Sequence, residues 1–260
     1  VARELRSVAV PREHGGWGLT LEPGLLGLLL AGSGAGWFLT AAAMVAFVAR
    51  TPLRVVAVDL RRRRWLHRTR LASAVGVVEL TALAGLVASA LARSEKPFWV
   101  PAAIAAPLIL VEAWFDVRSQ GRRLVPELSG AVGVCAVAAM IVLAGGGDTR
   151  LAAGAWLLLT ARVTTSIPHV RAMIAGLHGR PTGSGLPWLA DLLALSTAAL
   201  AVWSDRRLLV GAVSVSALVL VQRASSHRPV RRAAIVGIQQ MALGLAVVVA
   251  AALGVHAPWH

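Results

Sequence analysis

Nine long apolar stretches follow one another along the chain, each near the ~20 residues that a helix needs to cross a bilayer. They run roughly over 16–34, 37–58, 71–92, 98–117, 124–145, 150–173, 185–203, 207–224 and 233–254. Turn-forming breaks separate most of them, among them Gly32-Ser33-Gly34, Gly145-Gly146-Gly147-Asp148 and Gly179-Arg180-Pro181. No stretch alternates apolar with polar at the strand period of two. No linker is long enough to hold a second domain. The pattern predicts an all-α polytopic membrane protein with nine transmembrane helices, one domain over 1–260, and a short segment at 1–15 ahead of the first span.

Composition strengthens this reading and charge orients it. Hydrophobic residues are 57% of the chain and charged residues only 15%, where a soluble domain carries about a quarter. The formal charge is +14, almost all of it arginine, since Lys96 is the only lysine. The arginines sit in short clusters between apolar runs, which is the pattern of cytoplasmic loops and argues against nucleic acid as a partner. Counting alternate ends, 19 basic residues fall on the side of the N-terminus and of the loops after spans 2, 4, 6 and 8, and five on the other; Arg50 and Arg54 lie within span 2. This places the N-terminus in the cytoplasm and the C-terminus outside. Trp37, Trp99, Trp203 and Trp259 then fall near the outer interface, and Trp17, Trp65 and Trp188 near the inner one. The N-terminal basic residues precede no short apolar region with a cleavage site, so the first span reads as retained. Cys135, the one cysteine, reads as a small buried hydrophobe.

Ionisable residues inside spans are costly and mark either structural pairs or a functional site. Arg50 and Arg54 lie four apart on one face of span 2, and Glu112 and Asp116 repeat the spacing in span 4. Arg162, Thr165, Ser166 and His169 form a polar stripe on span 6, which Pro168 is expected to kink or end. Glu22 lies in span 1, eight residues after His14, while Glu127 opens span 5 and Asp191 sits in span 7; Gln222, Gln239 and Gln240 follow. The plainer reading is a set of ion pairs, with Arg50–Glu112 and Arg162–Asp191 as natural partners. The sharper one is a polar cavity open to the cytoplasm, where arginines and histidines outnumber carboxylates and favour an anionic ligand. A faint repeat runs beneath both: Ala49-Arg50 recurs as Ala161-Arg162, and a shift of 110 residues aligns Glu112 with Gln222.

The segment Pro11-Arg12-Glu13-His14-Gly15-Gly16-Trp17 resembles the opening motif of the YwiC-like family of bacterial membrane proteins, and Gly121-Arg122-Arg123, Pro126-Glu127 and Gly130 resemble that family's central region. The helix count and orientation are also similar, more distantly, to the UbiA superfamily of intramembrane prenyltransferases. That resemblance implies a cytoplasm-facing pocket capped by the loops after spans 2 and 6. The superfamily's aspartate-rich motifs, which hold magnesium and an isoprenoid diphosphate, are absent. In their places stand Arg50-Thr51-Pro52-Leu53-Arg54 and Arg162-Val163-Thr164-Thr165-Ser166-Ile167-Pro168-His169, with Asp59 the only acidic residue near the first. Magnesium needs oxygen ligands that arginine does not supply, so no cofactor is expected.

The leading expectation is therefore a UbiA-like protein binding an anionic lipophilic substrate, with metal-free prenyl transfer or a lyase reaction as its chemistry if it is an enzyme. Arg50, Arg54, Arg162 and Arg171 would hold the anion, joined by Arg118, Arg122 and Glu127. His14 or His169 would serve as general acid or base, with Glu22, Glu112 or Asp191 orienting or replacing them. The alternatives are a carrier of a small anionic metabolite using the same residues, and haem binding through His14 or His169. Membrane lipids are the expected surroundings in every case.

Overall fold

A computed structural model of the chain describes residues 8–9, 14–177, 179, 185–226 and 233–258. Among the described residues the regular structure is helical throughout. The nine long helices are α1 (His14–Leu30), α2 (Gly34–Arg61), α3 (His67–Leu91), α4 (Trp99–Val117), α5 (Leu124–Ala144), α6 (Thr149–Leu177), α7 (Gly185–Ser204), α8 (Leu209–Ser226) and α9 (Ala233–His256). A single 3-10 turn, Arg206–Leu208, leads into α8.

The helix ends follow from local chemistry. Ser33 opens α2 by accepting the Gly36 amide on its hydroxyl at 3.0 Å. Thr69 opens α3, its hydroxyl accepting the Leu66 amide at 3.1 Å. The α5–α6 turn passes through Gly146 at φ +78°, a left-handed backbone that glycine adopts without a Cβ penalty. Pro168 neither ends nor shortens α6, which continues nine residues beyond it to Leu177. The expected break is absent because packing on α7, α8 and α9 holds the helix across the missing N–H.

Seven helices, α2 to α5 and α7 to α9, have the length and apolar character to cross a membrane; the last turns of the Arg206–Ser226 segment belong to α8. The other two expected spans differ. The apolar part of α1 is short, Gly16–Leu30, and α6 is long enough but carries the polar stripe. α6 lies inside the bundle, and α1 is covered except along one face, where Trp17, Leu21 and Leu29 are exposed. α1 packs on α5, α9 and α2, while α6 is enclosed by α5, α7, α8 and α9. Small residues let these backbones approach: a methyl at Gly27 would press on Ile141, and one at Gly211 on Leu158 and Ala251. Cys135 is buried in this core with Leu26, Ile141 and Leu158.

Two groups of four helices make up the rest. α2 pairs with α3 and α4 with α5, as α6 pairs with α7 and α8 with α9, and α1 bridges the two groups. Shifting the chain by 112 residues, the separation of Arg50 from Arg162, lays α2–α5 onto α6–α9, each helix starting within about six residues of its counterpart. The faint sequence repeat is thus a repeat of helix order and pairing. One difference breaks it: α7 packs on α8, whereas α3 packs on α2 and not substantially on α4.

Candidate functional site

The densest polar assembly lies in the centre of the bundle, on α1 and α6–α9. The guanidinium of Arg162 donates through one nitrogen to Glu22 Oε1 at 2.8 Å and to the Gln240 carbonyl at 2.9 Å. Arg162 is 3% exposed and Glu22 4%. One turn along α6, the Thr165 hydroxyl lies 2.6 Å from Asp191 Oδ1 and 2.8 Å from Gln222 Oε1. The Gln222 amide reaches Ser166 Oγ at 2.9 Å and the Gln240 side chain at 3.0 Å. Asp191 accepts from Arg223 Nε at 2.5 Å, and that guanidinium stacks 4.1 Å from the Trp188 ring centre.

Proton counting fixes the sense of this network. Thr165 has one hydroxyl proton and faces two oxygens. With the Gln222 and Gln240 amides turned over, every contact has one donor and one acceptor: Thr165 donates to Asp191, Gln222 to Thr165, and Ser166 and Gln240 to Gln222. Two capacities stay unspent. Arg162 Nε–H and the outer atom of the Gln240 amide are buried without a hydrogen-bond partner among the described residues. An unpaired buried N–H costs about 1–3 kcal/mol, so the Arg162 Nε–H is a donor still available to a ligand oxygen.

The other expected site residues fall into separate groups. Arg50 reaches Glu112 Oε1 at 2.6 Å and Asp116 Oδ2 at 2.7 Å, joining α2 to α4. Arg171, near the end of α6, meets Glu127 Oε2 at 2.7 Å and the Arg122 carbonyl at 2.9 Å. Arg118 stacks on Trp114, 3.5 Å from the ring centre. Arg54 is exposed and has no ion pair among the described residues. His169 is half-buried, near Asp191 and Arg223. The His14 side chain, with most of the Pro11–Trp17 motif, lies outside the described residues.

Two expectations change. Arg162 pairs with Glu22, not Asp191, because Arg223 already occupies the Asp191 carboxylate. The excess of interior arginine is also absent: among the buried charged residues Glu22, Asp59, Asp116 and Asp191 stand beside Arg162. A guanidinium in a low-dielectric interior persists only with a carboxylate beside it, and each of Arg50, Arg162 and Arg171 has one. Asp59 is itself held by Arg68 at 2.6 Å and by the Thr69 hydroxyl at 2.8 Å. Among the described residues, Asp59, Asp116 and Glu127 near these helix ends are each held by an arginine, and the arginines themselves offer no oxygen ligand to a magnesium ion.

Residues 10–142 match the family model described as YwiC-like protein, about half of the chain. The chain belongs to the YwiC-like family. No curated protein and no solved structure matches it.

The YwiC-like segment contains Glu22, Arg50, Glu112, Asp116 and Glu127, whereas Arg162, Asp191, Gln222 and Gln240 lie beyond it. Its glycines have a physical reason that the motif alone did not disclose. A methyl at Gly130 would collide with the Glu112 carboxylate, and one at Gly121 with that of Asp116. Gly244, in α9, gives the same room to Glu22 and Arg162. At Gly130 and Gly244 glycine lets two helix backbones close over a carboxylate, and at Gly121 it lets the turn between α4 and α5 do so.

Proposed function

We propose that this protein crosses the bacterial inner membrane nine times, with its N-terminus cytoplasmic, and binds a lipophilic molecule with a compact anionic head. The head meets Arg162 and the apolar body lies along α1, α6 and α9. The crossing number is supported by the burial of α6, whose polar stripe need not meet lipid, and by the apolar face that α1 exposes through Leu21 and Leu29. The orientation rests on the division of basic residues, 18 to five once Arg162, buried near the middle of α6, is set aside from the 19.

The observation that carries the ligand is Arg162, a buried guanidinium with an unspent Nε–H on a helix whose own hydroxyls and guanidinium meet carboxylates and amides from four others. Charge sets the class of head. Glu22 already balances Arg162, and Arg223 balances Asp191, so the site is close to neutral. A singly charged carboxylate or phosphate ester suits it, where a metal-free diphosphate would bring several uncompensated charges. This narrows the superfamily-like substrate from an isoprenoid diphosphate to a monoanionic isoprenoid or acyl compound. If the site is catalytic, His169 would serve as general acid or base, with Glu22, 2.8 Å from Arg162, orienting or replacing it.

The test compares a C20 isoprenoid alcohol, its monophosphate, its diphosphate and a C20 carboxylate as ligands of the purified protein in nanodiscs, read by native mass spectrometry. Monoanions should bind about tenfold tighter than the alcohol, a difference of one charge-assisted hydrogen bond. The preference should vanish in Arg162→Gln and persist in Arg171→Gln. Equal binding of alcohol and monoanion to the wild-type protein would sink the proposal. Uptake of the preferred monoanion into proteoliposomes would assign the site to a carrier.

A further inference from the structure

Two arginines of the bundle lie flat on an exposed indole, and only one of them has an acid to serve. Arg223 stands 4.1 Å from the ring centre of Trp188 and gives its donors to the Asp191 carboxylate. Arg118 stands 3.5 Å from the ring centre of Trp114, and its guanidinium has no ion pair or hydrogen bond among the described residues. The carboxylates near it are already held. Asp59 serves Arg68, Glu112 and Asp116 serve Arg50, and Glu127 serves Arg171.

The depth of Arg118 says what can answer it. The 19 residues of α4 make a helix about 28 Å long, close to the ~30 Å of a hydrocarbon core. With Trp99 exposed at one end of α4, Trp114 and Arg118 fall at the opposite boundary. An arginine at a helix end ordinarily extends into water and leaves only its stem against lipid. Here the guanidinium is folded back by one turn onto a ring on the exposed face of a candidate span, and the stack fixes its plane. Pro107, Leu110 and Trp114, at helical spacing on the same face as Arg118, are all exposed. They form an apolar column that leads from the arginine towards the membrane centre. The turn after α4 adds Arg122 and Arg123, both exposed.

We infer that this face of α4 binds a phospholipid of net negative charge, its phosphate against the edge of the Arg118 guanidinium and its chains along Leu110 and Pro107. A guanidinium edge offers parallel N–H donors that two phosphate oxygens accept together. The neighbouring Arg122 and Arg123 favour an anionic headgroup over a zwitterionic one. A second copy of the chain brings no free carboxylate to this end among the described residues, and a soluble acidic partner does not reach the apolar column. The inference is independent of the ligand proposed for Arg162.

The test places the full chain in phosphatidylcholine nanodiscs with an equal trace of photoactivatable phosphatidylglycerol or phosphatidylcholine, and locates the cross-links by mass spectrometry. Phosphatidylglycerol should label residues 103–118 about fivefold more than phosphatidylcholine, the worth of one arginine at an anionic lipid surface. Arg118→Gln should bring the two lipids to parity. Trp114→Leu keeps the charge but frees it to rise into water, and should remove most of the preference. Arg93→Gln, beside Phe38 at the other end of the bundle, should leave it intact. The Arg118 and Trp114 substitutions lie on an exposed face, so thermal midpoints within about 2 °C of wild type are expected. Equal labelling by the two lipids in the wild-type protein would overturn the inference. So would a preference that persists in Arg118→Gln, which would assign it to the summed charge of the loops. Displacement of the lipid by soluble glycerol phosphate, or a second copy cross-linked at this face in its place, would overturn the lipid as occupant.

Discussion

The helices α2–α5 and α6–α9 share an order and a pairing, yet they manage charge in opposite ways. In the second group Asp191, Gln222 and Gln240 converge on the polar stripe of α6, and α7, α8 and α9 bury 28%, 39% and 28% of their apolar windows. In the first group α5 buries 56% of its window against α1 and α6, but α2, α3 and α4 bury only 17%, 11% and 17%, while Arg50 serves Glu112 and Asp116 from a side chain that is 35% exposed. The comparison teaches that polar partners, as much as apolar area, decide how closely membrane helices pack. Where Thr165 and Arg223 provide donors, α7 closes on α8. Where Leu53 and Val111 stand 112 residues earlier in their places, α3 stays apart from α4.

The largest effect should separate the two arginines. Arg162→Ala strands the Glu22 carboxylate in a site with little access to water, a loss of about 3–5 kcal/mol. Arg50→Ala leaves two carboxylates beside a side chain that was already one-third exposed, and about 1–2 kcal/mol is expected after allowance for screening. Denaturant titration in mixed micelles measures both. Equal losses would mean that the two groups do not differ in how deeply their charges are committed. The double variant Glu22→Leu with Arg162→Leu should recover much of the single-variant loss, since matched apolar residues need no partner.

Gly244→Ala and Gly130→Ala test the same contrast through shape. A methyl at Gly244 forces both Glu22 and Arg162 to move within a closed core, with a cost of about 2–3 kcal/mol. The methyl at Gly130 displaces the end of the Glu112 side chain, which is 14% exposed and has room to turn, so about 1 kcal/mol is expected. Thr165→Val comes next, at about 1–2 kcal/mol, because Asp191 keeps Arg223 and loses only the hydroxyl. All three are read from unfolding midpoints on one denaturant scale.

The helices were legible because their signal is local. Apolar runs broken by Gly32-Ser33-Gly34 or Gly145-Gly146-Gly147 place the ends of α1, α2, α5 and α6 within a few residues. The site was legible only in part. Arg50 with Glu112 could be read because both residues and their four-residue spacings point to neighbouring faces. Arg162 with Glu22 could not, since 140 residues separate them and nothing in either segment distinguishes Glu22 from Asp191 as a partner. The glycines at 121, 130 and 244 carry no local mark of their role, because what they accommodate comes from another helix.

The smallest effect concerns the turn that joins α7 to α8. Asp205 there accepts the Arg207 amide at 3.0 Å and its guanidinium at 2.6 Å, folding the chain tightly into α8. The α3–α4 connection runs from Ala92 to Phe98 and lets its helices diverge. Burial raises the Asp205 carboxyl, but the side-chain and backbone hydrogen bonds from Arg207 more than offset it, leaving the group below its ordinary value. A carboxyl depressed in the folded state stabilises above its unfolded value and loses that contribution as pH falls through the folded one. Asp205→Asn should therefore cost about 0.5–1 kcal/mol at neutral pH, Arg207 being partly exposed. The gap between variant and wild type should close below about pH 4. A gap that is constant from pH 7 to pH 3 would show that the turn is held by its backbone alone, and that the closure of α7 on α8 owes nothing to this charge.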